Sequence, residues 1–350
     1  MRQRRGVKKN EVEQIVPVYV GLDYHDETIR VCVVDETGRE LVNRNVANSV
    51  SAVVDLVRSH GGLVREASLE ACCGAADFAT KLAAATEWRV RMAHPGVVKR
   101  LKVGANKTDC EDALHLANLS RAGYLPEVWL ADDATRQLRR LVRHRQGIVD
   151  QKKRIKLRIR ALLREERIAA PPNLNAWTKG WMTWLKTVTL GEQTRWVLDQ
   201  ELMHLDHMVC GIAAVEARMD QATKNDPVVA KLKEKPGIGV VTAVVMRAAI
   251  GRFDRFHSGK QLSCYCGVTP RNASSGKRQA DAGLIESGND ILRPLLLQLA
   301  KRLPRIDAHW REFHRNLLVR KPSNVISAAI ANRWLRRLYH EMVAPPAVAA

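Results

Sequence analysis

A chain of 350 residues is long for one hydrophobic core, and a composition that is 46% apolar and 27% charged excludes wholesale disorder. With 57 Lys and Arg against 37 Asp and Glu, the net charge is +20 and the pI about 10.0, which favours a polyanionic partner: DNA, RNA or an anionic membrane surface. No apolar stretch approaches the length of a membrane-spanning helix, which argues against integral insertion, and the basic start Met1–Asn10 is followed by no apolar signal core, so a cytosolic location is expected. The seven cysteines have no framework spacing and read as free thiols. His204, His207 and Cys210, three apart, read as a polar helix face in preference to a zinc site.

In chain order, residues 1–15 form a basic arm. From Val16 the pattern turns to strands: Val18–Asp23, Thr28–Val34, then the turn Asp35–Gly38 and a third strand through about Val46, an antiparallel meander. Val50–Val57 has helical spacing behind Ser49 as N-cap and ends by Gly61-Gly62. Ala67–Ala71 is a short buried strand carrying Glu70. Ala75–Ala85 is a helix, Arg89–Ala93 a strand stopped by Pro95, and Thr108–Ala122 a helix with Thr108 as N-cap. A three-strand meander followed by alternating helices and strands is the order of a ribonuclease-H-like α/β domain, expected over residues 16–130. The first strand of such a domain typically carries a metal-binding Asp.

Residues 131–228 read as a helical, coiled-coil connector. Leu141, Ile148, Ile155 and Leu162 fall one heptad apart over 133–168, which predicts a long helix in a coiled coil or a helical hairpin arm. Its other faces are crowded with cations, among them Arg154, Lys156 and Arg158. That one-signed surplus predicts nucleic-acid contact outside and self-association along the seam. Trp177, Trp181 and Trp184 recur at helical spacing, read as core in preference to base stacking. The mostly helical C-terminal domain, 229–341, opens near Pro236-Gly237-Ile238-Gly239, a turn resembling that of a helix-hairpin-helix. Gly237 and Gly239 allow a tight turn whose free backbone N–H groups can hold a phosphate. Helices are expected around Ile291–Arg302 and Asn324–Leu338, then a frayed tail, 342–350.

Two-metal phosphoryl chemistry needs three or four carboxylates converging from separate elements. Asp109 and Asp112, three apart, share one helix face, and Asp23 and Glu70 would end adjacent strands. The set predicts a site for Mg²⁺ or Mn²⁺. Asp26, Glu27, Glu66 and Glu111 are nearby acids without that role. Ser275, in the Gly-flanked stretch Gly267–Gly276, is a candidate nucleophile, although Ser-Ser-Gly is also ordinary turn chemistry. Arg271, Lys277 and Arg278 around it are assigned to nucleic-acid contact.

These motifs together resemble the IS110/IS1111 insertion-sequence transposases, the DEDD recombinases. The resemblance rests on Gly21-Leu22-Asp23, Glu70-Ala71, the Lys107–Ala113 helix start, Pro-Gly-Ile-Gly at 236–239 and the Gly-x-Thr-Pro-Arg…Ser-Gly block at 267–276. It is completed by Gly283, Ile285, Gly288, Asn289, Leu292 and Arg293, in order along almost the whole chain. Two positions depart from the pattern: Cys72-Cys73 follow Glu70-Ala71, and Ser287 precedes Gly288-Asn289. The resemblance implies a RuvC-like domain binding Mg²⁺ through Asp23, Glu70, Asp109 and Asp112. It also implies Ser275 as nucleophile, donor and target DNA as substrates, a structured guide RNA from the element, and a homo-oligomer, dimer or tetramer. The same residues would serve a site-specific invertase; without the serine's role they would make a metal-dependent junction nuclease.

Overall fold

A computed structural model describes residues 16–102, 108–272 and 281–343. The basic arm, Lys107, Ser274, Ser275, Lys277, Arg278 and the tail beyond Val343 lie outside the described residues. The chain divides into two units between Ala131 and Asp132.

The first unit is a mixed α/β sheet domain. Its elements are β1 (Pro17–Tyr24), β2 (Thr28–Asp35), β3 (Glu40–Ala47), α1 (Val50–Ser59), β4 (Leu63–Glu70), α2 (Ala75–Ala85), β5 (Arg89–Ala93), α3 (Pro95–Leu101), α4 (Asp109–Arg121) and β6 (Glu127–Val128). The sheet order is β3-β2-β1-β4-β5-β6. The meander β1-β2-β3 is antiparallel, β4 and β5 run parallel to β1, and β6 closes the edge antiparallel.

Strand alternation decides which face each residue serves. Val18, Val20, Leu22, Ala67 and Leu69 pack with α1 and α2 into one apolar core. Tyr19, Cys32, Val34, Ala113 and Ala117 form a second cluster beneath α4. Ser49 caps α1 and Thr108 caps α4, each accepting a backbone N–H three residues on. Pro95 both ends β5 and opens α3: it occupies a first-turn position where a missing N–H is harmless, so the residue expected only to stop a strand also starts a helix. β4 begins at Leu63, four residues before the expected Ala67.

The second unit is mostly helical: α5 (Asp133–Glu165), α6 (Lys179–Thr187), α7 (Glu192–Ala222), α8 (Pro227–Lys233), α9 (Val240–Ile250), a 3₁₀ turn at Phe253–Arg255, α10 (Gly259–Tyr265), β7 (Pro270–Asn272), β8 (Asp281–Leu284), α11 (Leu292–Ile306), α12 (Ala308–Leu318) and α13 (Ser323–Val343). The helix α12 was not legible in the sequence pattern. The long helices α5 and α7 form an antiparallel hairpin. Arg145 pairs with Glu216, Ile148 lies against Gly211, and Arg158 pairs with Glu201 at 2.7 Å. The heptad seam is therefore filled within the chain: Ile155, Ile159 and Leu163 pack against Trp181, Leu185, Leu198 and Leu202. Trp181 is the buried centre of the tryptophan stripe, with Trp177 and Trp184 in ring contact on either side. At the other end of the hairpin Leu138, Val142 and Met219 join the large core built by α8 to α13.

Candidate functional site

The acidic site of the first unit is built by three placements. Asp23 lies near the end of β1 and Glu70 ends β4; the parallel register pairs Leu22 with Leu69, so the two acids are neighbours across the sheet. Asp23 shares its face with Gly21, and Glu70 shares its face with Ser68. That face carries α4. A Cβ on Gly21 would stand 1.9 Å from the Ala113 carbonyl oxygen and 2.6 Å from the Ala117 nitrogen, so only glycine lets the helix lie this close. Buried Ser68 fixes α4 from the next strand, donating to the carbonyls of Val20 and Leu116 at 3.2 and 3.1 Å. With Ala113 seated over Gly21, the first turn of α4, and so Asp109 and Asp112, falls over Asp23.

The side chains meet there. His25 Nε2 lies 3.1 Å from Asp23 Oδ2 and 3.6 Å from Asp109 Oδ2. One ligand atom from each of Asp23, His25 and Asp109 lies within 4.8 Å of the others. Asp112 Oδ1 accepts from Lys102 Nζ at 2.7 Å, and Glu111 stands 3.7 Å from the same ammonium. The hydrogen bond to Asp112 holds the Lys102 ammonium above its ordinary range, and the negative charges of Asp112 and Glu111 add to it. Burial raises the Asp23 carboxyl above its ordinary range. His25 opposes that rise, while the charges of Asp109 and Asp112 reinforce it. Burial likewise pushes the Cys72 thiol up, with Glu70 and Asp23 both contributing, which puts those two carboxylates in one electrostatic neighbourhood. An anionic cluster on a helix N-terminus and strand ends, part-buried and self-repelling, suits a divalent cation. Two carboxylate oxygens and an imidazole nitrogen are a donor set that fits one.

Glu66 shares the face of Glu70 but serves the fold: it is bonded by Arg89, Arg91 and Ser120. His25 and Lys102 were missed by sequence reasoning. For His25 a signal existed in its nearness to Asp23, two residues on and just past the end of β1. For Lys102 there was none, because its partner lies ten residues on in another element.

In the second unit, Gly237 takes φ +80° in the turn between α8 and α9, and Gly239 is the N-cap of α9. Arg154 is exposed, Lys156 lies 4.6 Å over the Trp177 ring, and Arg158 is held by both oxygens of Glu201. Arg271 pairs with Glu286 at 2.8 Å. Ser275 lies outside the described residues, in the stretch of sequence between β7 and β8. The Gly-Asn…Leu-Arg block is a scaffold for the segment just after β8. Arg293 Nη2 donates to the carbonyls of Ile285, Glu286 and Ser287, and Asn289 Oδ1 accepts from the N–H groups of Ile291 and Leu292.

An acid-clustered α/β unit followed by a helical unit is the arrangement on which two family models fall, and both describe transposases. One, a DEDD transposase of IS110 type, matches residues 20–167, and the other, a transposase of the IS116/IS110/IS902 family, matches residues 229–315. The chain is 25% identical over 343 residues to the transposase for insertion sequence element IS1111A of Coxiella burnetii, covering 95% of this chain and 89% of that protein. It is 26% identical over 341 residues to a probable family 20 transposase of Pseudomonas aeruginosa, covering 91% and 95%. It is 29% identical over 210 residues to a putative transposase, y4qE, of Sinorhizobium fredii, covering 59% of this chain and half of that longer protein. The chain belongs to the IS110 family of insertion-sequence transposases.

Proposed function

We propose that this transposase is a metal-dependent strand-exchange recombinase that cleaves DNA through Ser275. The observation that carries the reading is the convergence of Asp23 and Asp109 on one point beside His25. The strand order and the acids at the ends of β1 and β4 support a ribonuclease-H-like, RuvC-like domain. Asp23, Glu70, Asp109 and Asp112 would hold Mg²⁺ or Mn²⁺, which would supply charge stabilisation at the scissile phosphate. Lys102 orients Asp112.

The Ser275 hydroxyl attacks a DNA phosphorus. A Ser O–P bond forms, the P–O3′ bond breaks, and the leaving 3′ oxygen takes a proton as a free hydroxyl. The 3′-hydroxyl of the partner strand then attacks the phosphoserine ester and releases the serine. Bond energy is conserved, so no nucleotide cofactor is required. Gly237, Gly239, Arg271, Lys277, Arg278 and the α5 cations Arg154, Lys156 and Arg158 contact nucleic acid: donor and target DNA, and a structured guide RNA from the element. The turn between α8 and α9 acts as a helix-hairpin-helix phosphate site. The protein works as a homo-oligomer, dimer or tetramer, in the cytoplasm at the nucleoid. Among the described residues no helix is long and apolar enough to cross a membrane.

The test is a denaturing gel of end-labelled substrate after protease digestion, with mass spectrometry of the linked peptide. Wild type is expected to give an adduct at Ser275. Ser275→Ala should give none while still binding Mn²⁺, and Ser274→Ala should be milder. An adduct on another residue, or none from an active enzyme, leaves a metal-dependent nuclease. The same adduct chemistry with inversion of flanked DNA would make the protein an invertase.

A further inference from the structure

We propose that His25 is itself a metal ligand, which makes the site a mixed nitrogen–oxygen centre. The inference rests on the metal-site reading above and adds a residue to it. The imidazole and the two carboxylates each bring one ligand atom within 4.8 Å of the others. In an octahedral site with bonds of about 2.1 Å, neighbouring ligand atoms stand about 3 Å apart. His25 Nε2 is 3.1 Å from Asp23 Oδ2 and 3.6 Å from Asp109 Oδ2, separations close to that spacing, and the three ligand atoms lie within 4.8 Å of one another.

The backbone fixes this position independently. His25 N–H donates to the Thr28 carbonyl at 3.0 Å, closing the turn from β1 to β2. Asn48 Nδ2 donates to the His25 carbonyl at 2.7 Å and to the Asp26 carbonyl at 3.2 Å, tying that turn to the end of β3. The imidazole therefore projects from a braced turn, and at 49% exposure it is open to an entering ion. Asp112 is differently placed, since Lys102 occupies one of its oxygens at 2.7 Å. The donors that converge without a competing ammonium are Asp23, Asp109 and His25.

Imidazole is a softer donor than carboxylate and favours later first-row ions. A neutral imidazole with two carboxylates also balances the charge of one divalent ion, leaving Glu70 and Asp112 for a second ion or for orientation. The site should accordingly bind Co²⁺ in preference to Mg²⁺ more strongly than an all-oxygen site does. Losing the imidazole should lower Co²⁺ affinity by roughly tenfold or more and Mg²⁺ affinity by less.

The experiment loads the full-length chain with Mn²⁺ alone and records pulsed EPR, followed by titration with Co²⁺ and Mg²⁺. Wild type is expected to show the nitrogen hyperfine modulation of a bound imidazole. His25→Ala and His25→Gln should lose it while retaining Mn²⁺, and both should narrow the Co²⁺ to Mg²⁺ preference. Bound Mn²⁺ without nitrogen modulation in wild type, or modulation that survives in both variants, overturns the proposal and leaves the carboxylate site standing. Failure of wild type to bind Mn²⁺, or binding unaffected by Asp109→Asn, overturns the metal site itself and His25 with it.

Discussion

Among single residues, the acids of the site depend on neighbours that are not acids. Cys32 on β2 is wholly buried in the cluster that seats α4, with Ala113 and Ala117. Burial pushes its thiol up to about 12, and the Glu40 carboxylate adds to the rise. The protonated form is the one folding favours, so its contribution is fully present below the ordinary thiol value of 9.0. It is lost as pH climbs from there through about 12. Cys32→Ala is expected to destabilise the protein by about 1 kcal/mol at neutral pH. That gap should narrow as pH rises past 9.0. Urea midpoints of both proteins on either side of that value check the slope, and a pH-independent difference would contradict it.

At the scale of elements, the contact of α4 with β1 through Gly21 decides whether Asp109 reaches Asp23. Gly21→Ala places a methyl group inside the Ala113 carbonyl, so the helix must lift. The expected loss is about 1–3 kcal/mol or more, with weaker Mn²⁺ binding measured on the folded variant by calorimetry. Gly147→Ala, on α5 with nothing within 4 Å, is the control and should stabilise by about 0.4–1 kcal/mol. Unchanged Mn²⁺ affinity in a folded Gly21→Ala protein would detach the site from this contact. The strands β1 to β5 and the helices α1, α2 and α4 of the first unit were legible because their apolar periods are strict, whereas the short α3 and the two-residue β6 carry no such period. The placement of Asp23, Glu70, Asp109 and Asp112 followed from strand ends and a three-residue helix spacing. What stayed hidden was produced by closure between elements. Lys102 finds Asp112 ten residues on in another element, Glu66 is claimed by Arg89 and Arg91, and the apolar seam of α5 finds packing partners in α6 and α7.

Across the whole molecule, a charge of +20 makes nucleic-acid affinity steeply salt-dependent. Lys153 and Arg154 are exposed on α5, whereas Arg158 is bound to Glu201. Reversing Lys153 and Arg154 to Glu is expected to reduce the slope of log K against log salt by roughly 0.9 for each DNA phosphate contact removed. Reversing Arg158 would instead set two carboxylates together and loosen the hairpin. Filter binding across a salt series separates the two, and an unaltered slope in the double variant would return this face to plain solvation. The hairpin has one more property. Between Val142 and Ile155 on α5, and between Leu205 and Met219 on α7, no residue is buried, and the antiparallel register brings the two gaps level. Gly147 and Gly211 both fall within them. Bending there would disturb the least buried packing, so the hairpin is expected to hinge at this waist, between a base packed in one core and a tip packed in another. From the waist to the end of α5 is about 25 Å at 1.5 Å per residue, so a bend of about 10° carries the tip about 4 Å sideways.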